Sequence, residues 1–171
     1  MSVYFYGCIT LDGYLADKDH QLDWLYETDS GEETSYESFY KNMDIMIMGK
    51  RTFSAIETIE DIDRIHGTTK NYVFTHDKSL SVKGFMPVDA DVVEFVKQIE
   101  GDQNVWIVGG NTVLAPLLEH DMVDTLIIQI APVLLGAGVP LFTQKEMLKR
   151  FHLEGVKQYG QLAELTYSLV K

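Results

Sequence analysis

The sequence predicts an α/β domain with a mixed, mostly parallel central sheet, helices on both faces and a C-terminal antiparallel hairpin. Two continuous apolar runs, Ile45 to Met48 and Val105 to Val108, have the composition of strands buried on both faces. Helical patterns alternate with such runs through most of the chain, as in parallel α/β units. From Phe151 onward the period changes to two, the mark of half-buried antiparallel strands.

Taken in order, Val3 to Ile9 reads as the first strand and Tyr36 to Asn42 as a short helix. The strand Ile45 to Met48 leads into a helix over Arg51 to Ile59, with Phe53, Ile56 and Ile59 on one stripe. Tyr72 to Thr75 is the next strand. Asp91 to Glu100 is the best-marked helix: Val92, Val93, Val96 and Ile99 form its apolar face, and Asp91 with Glu94 forms a capping box. After Val105 to Val108, the positions Val113, Leu114, Leu117 and Leu118 describe another helical face. Pro116 within it costs a backbone hydrogen bond unless the helix starts just before it. Leu126 to Ala131 is a strand. Phe151 to Gly155 and Ala163 to Leu169 are the arms of the hairpin about Gly160, with Ala163, Leu165, Tyr167 and Leu169 facing one way.

A chain of 171 residues without linker or repeat is expected to form one domain over 1–171, large enough to bury a core. Cys8 is the one cysteine, so no intrachain disulfide and no multi-cysteine zinc site can form. The five histidines lack metal-ligand spacing; each is expected at the surface and no metal is expected. The start of the chain has no signal-peptide character. Its most apolar segment, Leu126 to Phe142, is broken by Gln129, two prolines and two glycines, so neither secretion nor a membrane span is expected and the cytoplasm is the default location. A net charge of -12 argues against nucleic acid as a partner and means that an anionic ligand needs local capture.

Four glycine-bearing segments fall at strand ends. Thr10-Leu11-Asp12-Gly13-Tyr14-Leu15-Ala16 is at least a tight turn. Gly49-Lys50-Arg51-Thr52 and Gly109-Gly110-Asn111-Thr112 each join a buried strand to a helix, where free N–H groups and a partial positive charge suit a phosphate. The run from Pro132 to Phe142 superficially suggests a dinucleotide loop through Gly136 and Gly138. Leu141 occupies the third glycine position and Pro140 opposes the required helix start, so a Rossmann assignment is rejected. No Walker A, Gly-x-Ser-x-Gly or His-Glu-x-x-His motif is present.

Together and in this order, these segments resemble the dihydrofolate-reductase-like superfamily, and within it the reductase domain of bacterial riboflavin biosynthesis. The resemblance implies the three-layer fold of that superfamily and NADPH as hydride donor to a carbonyl or imine of a small pteridine-, pyrimidine- or sugar-bearing substrate. By position it implies that Gly49, Lys50, Arg51 and Thr52 serve the 2′-phosphate and pyrophosphate, with Gly109, Gly110, Asn111 and Thr112 on the other side. Thr75 and His76 would lie near the adenine ribose and Ala16 near the nicotinamide; Trp24 and Leu25 would border the substrate with Asp12. Asp12 is the nominated proton donor. Asp29, Glu32 and Glu33 occupy the region where folate reductases carry their acid, but spacing singles out none of them. The competing expectation is a nucleotide-binding sensor or partner module of the same fold without catalysis. Apolar residues in Val133 to Phe142 and in the hairpin further suggest a homodimer.

Overall fold

The computed structural model describes residues 1–143, 145 and 147–171. In chain order the elements are β1 (Ser2–Thr10), β2 (Tyr14–Ala16), α1 (Asp23–Tyr26), α2 (Tyr36–Tyr40), β3 (Ile45–Gly49), α3 (Lys50–Ile56), α4 (Ile62–Ile65) and β4 (Lys70–Phe74). They continue as β5 (Phe85–Val88), α5 (Val92–Lys97), β6 (Asn104–Gly109), α6 (Asn111–Glu119), β7 (Thr125–Ala131), β8 (Val139–Pro140), β9 (Phe151–Tyr159) and β10 (Leu162–Leu169).

Eight strands form one sheet in the order β5-β4-β3-β6-β1-β7-β10-β9, and β2 pairs with β8 in a separate small ribbon. From β5 to β7 every pairing is parallel; β10 runs antiparallel to β7 and to β9. This is the expected mixed sheet, with an added edge strand, β5, whose Pro87 is tolerated at an edge.

The pleat sorts the core into two layers. Val3, Phe5, Ile45, Ile47, Val105 and Ile107 point one way, against Val92, Val93 and Val96 of α5 and Val113, Leu114 and Leu117 of α6. Tyr6, Met46, Met48 and Trp106 point the other way, against Phe39 of α2, Phe53 of α3 and Ile62 of α4. Trp24 of α1 packs on Ala131 and Leu162, which share that second face. Helices α1 to α4 thus cover one side and α5 and α6 the other.

Local chemistry sets the helix ends. Asp91 accepts the Glu94 N–H at 3.0 Å, the expected cap of α5. Pro116 lies inside α6 rather than at its start, so the Thr112 carbonyl has no i+4 donor; deep burial of Leu114 and Leu117 outweighs that loss.

One expectation is corrected. His66 is buried, its ring edge-on to Tyr40 at 5.2 Å and close to Phe85 and Trp106. On β10, Ala163, Leu165, Tyr167 and Leu169 share one parity, and Leu162 and Glu164 on the other are more deeply buried. The apolar parity faces a half-open groove, while the loop before α2 closes over the other.

Candidate functional site

All four glycine-bearing segments leave the sheet at one edge, where β1, β3, β6 and β7 end at Thr10, Gly49, Gly109 and Ala131. Between the neighbours β3 and β6 the chain departs in opposite directions. After β3 it crosses through α3 on one face toward β4; after β6 it crosses through α6 on the other face toward β7. Such a switch point opens a crevice at the carboxyl ends of the strands, the general ligand position in open α/β sheets.

The crevice walls are bare backbone. Gly49 and Gly110 are the N-caps of α3 and α6, and neither helix has a side-chain cap. A Cβ on Gly49 would lie 3.6 Å from Val113 Cγ2 and 3.8 Å from Thr112 Oγ1, and one on Gly109 would lie 3.6 Å from Thr52 Oγ1. Gly109 and Gly110 have φ of +145° and +34°, conformations that a side chain would strain. A register shift between β3 and β6 inserts Val108 next to Gly109 and turns the chain at the crevice mouth. Thr52 Oγ1 accepts the Gly110 N–H at 3.0 Å, joining the two loops. The remaining first-turn N–H groups and two helix dipoles make this a local positive field in an acidic chain.

The other residues implicated by sequence are divided among neighbouring positions. Lys50 and Arg51 diverge: the Lys50 ammonium lies 3.4 Å from Asp77, past the end of β4, and 5.1 Å from the centre of the Phe53 ring. Arg51 reaches His20 Nε2 at 3.2 Å across a groove of about 450 Å³ between α3 and the loop that enters α1. The two cations therefore do not converge on one anion. Thr75 follows β4 and its hydroxyl accepts the Asp77 N–H at 3.1 Å. His76 is exposed and leans away, onto Asp89 at 2.7 Å. Asn111 donates to the Pro140 carbonyl at 3.0 Å and Thr112 is exposed on the first turn of α6.

Ala16 is buried where β2 meets β8, so close that a Cβ on Gly138 would fall 2.3 Å from the Ala16 carbonyl oxygen. Trp24 is buried, Leu25 half-buried, and the indole Nε1 has no hydrogen-bond partner among the described residues.

Asp12 is an acceptor at the surface. It takes the Thr10 hydroxyl at 2.6 Å and the backbone N–H groups of Gly136 at 2.8 Å and Leu135 at 3.1 Å. The Thr10 hydroxyl first, then the Gly136 N–H, hold its carboxyl below the usual range. A group so stabilised in its ionised form is a poor proton donor; its evident work is to tie the β1–β2 turn to the loop after β7. Asp29, Glu32 and Glu33 lie in the loop between α1 and α2, not on a helix.

Sequence reasoning missed a buried polar ring on the α1–α4 face. Glu164 of β10 is 4% exposed and accepts hydrogen bonds from Ser35 Oγ and, at 2.9 Å, from Gln129 Nε2. Tyr6 hydroxyl contacts Ser35 Oγ at 3.0 Å and Gln129 Nε2 at 3.1 Å. Burial pushes the Tyr6 phenol up to about 12, so it stays protonated at neutral pH. Burial likewise pushes the neighbouring Cys8 thiol up to about 12, which makes it an inert wall rather than a nucleophile. The signal available was Glu164 on the parity of Leu162, two residues away, within a strand that alternates.

Comparison with known proteins fits this geometry. The family model of the RibD C-terminal domain matches residues 60–164. The uncharacterized Bacillus subtilis protein YwjB is 30% identical over 165 residues, 95% of this chain and 94% of its own length. A structure from Shewanella sp. PV-4, named for riboflavin biosynthesis, superposes with a TM-score of 0.87 at 24% identity over the whole of both chains. The Thermotoga maritima deaminase/5-amino-6-(5-phosphoribosylamino)uracil reductase aligns at TM-score 0.70 and 14% identity, covering 99% of this chain and 56% of that one. Enterococcus faecalis dihydrofolate reductase, solved with NADP(H), aligns at TM-score 0.65 and 11% identity over 99% and 97% of the two chains. The fold is thus dihydrofolate-reductase-like.

Proposed function

The chain belongs to the RibD C-terminal domain family, and from that premise we propose that it is an NADPH-dependent reductase acting on a small pyrimidine- or pteridine-like substrate. The observation that carries this reading is the crevice between β3 and β6, whose walls are the side-chain-free Gly49, Gly109 and Gly110 and two uncapped helix N-termini. A Cβ at any of the three would fill space that a pyrophosphate needs.

When bound, the cofactor supplies hydride to a carbonyl or imine carbon; the protein's part is binding, orientation and exclusion of water. The first-turn N–H groups of α3 and α6 would hold the pyrophosphate, and the Thr52 bridge to Gly110 fixes the spacing between the two loops. Lys50 would meet the 2′-phosphate on the β4 side after giving up Asp77. Arg51, on the opposite side beside His20, is placed to meet an anionic group of the substrate instead. Trp24, Leu25 and Ala16 would enclose the reacting ring away from solvent. Asp12 would act by holding the loop over that ring, not by protonation.

One observation favours the alternative of a non-catalytic nucleotide-binding module: the nominated acid is committed to other hydrogen bonds. Oxidation of NADPH followed optically in the presence of aminopyrimidine nucleotides separates the readings. Turnover is expected. NADPH binding without turnover on any such substrate would favour the module, and absence of NADPH binding would remove the reductase.

A further inference from the structure

We propose that Glu164 and Gln129 form a paired acceptor site that selects substrates by the N–H donors of an amino-substituted pyrimidine ring; this deepens the reductase reading above and rests on it. The argument starts from the polarity of the buried ring. Glu164 has no cation within ion-pair distance among the described residues, so its charge must be met by hydrogen-bond donors. The Ser35 hydroxyl has one hydrogen and its carboxylate contact takes it, so Tyr6 must be the donor to Ser35. Gln129 Nε2 has two hydrogens, which go to Glu164 and to the Tyr6 oxygen. Every direction in the ring is thereby fixed and every donor is spent.

Two acceptors are left over. Glu164 Oε1 and Gln129 Oε1 have no hydrogen-bond partner among the described residues, and neither is among the side-chain atoms sealed from solvent without one. The two residues are directly opposed in the β7–β10 register, so their side chains leave the same face of the sheet about 5 Å apart. Cys8 of β1 is the next residue across. Two positions nearer the sheet edge, Ala131 and Leu162 support Trp24, whose Nε1–H is buried and unpartnered. The local inventory is two acceptors and one donor against apolar walls, which matches a flat heterocycle carrying N–H groups on one edge and a carbonyl on another.

The position suits a partner of the cofactor. Gln129 lies two strands from β6, about 10 Å along the sheet at the usual strand spacing. It is also two residues from the carboxyl end of β7, at the edge where the crevice opens. The site is held rigid from behind. A Cβ on Gly160 in the β9–β10 turn would fall 2.4 Å from Gly31 N, and Gln161 N–H donates to Asp29 carbonyl at 2.8 Å. That contact presses the loop bearing Ser35 onto the strand bearing Glu164. A ring needed only for stability would be closed at less cost by a neutral side chain, since an uncompensated buried carboxylate is expensive.

The test is calorimetric titration of the whole chain with 5,6-diaminouracil and with uracil, each with and without NADPH. Uracil has the same ring but lacks the two amino groups. The wild-type chain is expected to bind 5,6-diaminouracil at least tenfold more tightly than uracil, and Glu164→Gln to lose that preference while its NADPH affinity stays unchanged. Glu164→Asp, which keeps the charge but withdraws it by one methylene, should give an intermediate ratio and guards against a misfolded first variant. Equal affinities of the wild-type chain for the two rings would overturn the proposal, as would an undiminished preference in a folded Glu164 variant. A wild-type chain that prefers 5,6-diaminouracil but does not bind NADPH would sink the reductase reading and leave the acceptor pair supported.

Discussion

Substituting Gly49 by alanine tests the crevice with little disturbance to the fold. Its φ of -81° and ψ of 165° are open to any residue, unlike the backbone at Gly110, whose φ is +34°. The new Cβ would make only ordinary contacts, 3.6 Å from Val113 and 3.8 Å from Thr112. Unfolded-state entropy should then make Gly49→Ala neutral or more stable by about 0.4–1 kcal/mol. The same methyl group projects over the first turn of α6, where a pyrophosphate oxygen would sit. Losing that close approach should weaken NADPH binding at least tenfold, about 1.4 kcal/mol. Gly110→Val is the contrasting case: strain of about 1–3 kcal/mol lowers its melting temperature with or without a ligand. Binding by NADPH fluorescence and melting temperature should be measured on the same samples. A Gly49→Ala protein that melts at or above the parent temperature and binds NADPH with the parent affinity would refute the assignment of this crevice.

Other consequences follow from single contacts. Lys50→Gln should reduce NADPH affinity by about tenfold, the scale of one charge-assisted hydrogen bond, and leave NADH untouched; Asp77→Asn should raise NADPH affinity by freeing Lys50, and equal changes for both cofactors would refute the role of this ion pair. Burial holds the His66 ring below its ordinary 6.5, so the unfolded chain binds the extra proton first. Stability from neutral His66 is then full above about pH 6.5 and lost as pH falls toward the folded value. Denaturant titrations from pH 5 to 7.5 should show this slope in the parent and a weaker one in His66→Phe; an unchanged slope would discard His66 as its source. The exposed Phe142, Met147, Leu148, Leu153 and Val156, beside an apolar groove of about 450 Å³, predict a homodimer. Light scattering should give about twice 19.4 kDa, and a monomer mass at micromolar concentration would end that expectation.

The sheet was legible because burial on both faces leaves an unambiguous trace in composition. Ile45 to Met48 and Val105 to Val108 have no polar residue to set a period, as suits central strands covered by helices on both faces. The glycine loops were legible for the complementary reason: a strand-to-helix junction with no side chain has few structural purposes. What sequence could not supply was direction. Lys50 and Arg51 are adjacent in the chain, yet successive positions in the first turn of α3 send one toward β4 and the other toward α1. Neighbours in sequence were read as a pair, and helix geometry separates them. The short strand β5 and the β2–β8 ribbon escaped for lack of length; three residues and two residues carry no periodicity.

Asp12 and Glu164 show why a carboxylate's role follows from its surroundings rather than its motif. Asp12 stands in the most recognisable segment of the chain, but three different donors converge on it and a loop depends on its staying ionised. Glu164 stands in an unremarked strand, opposite a glutamine, and only the cross-strand register brings it to Tyr6 and Ser35. That register joins residues 129 positions apart in the case of Ser35 and Glu164, beyond the reach of any local pattern. The hairpin therefore does more than terminate the sheet. Its turn is pressed on the Asp29–Gly31 backbone and its second strand carries a charge to the face where α1 and α2 close over the sheet. If the crevice between β3 and β6 holds the dinucleotide, as proposed, selection among substrates would fall to residues on β1, β7 and β10, where the register sets Cys8, Gln129 and Glu164 side by side.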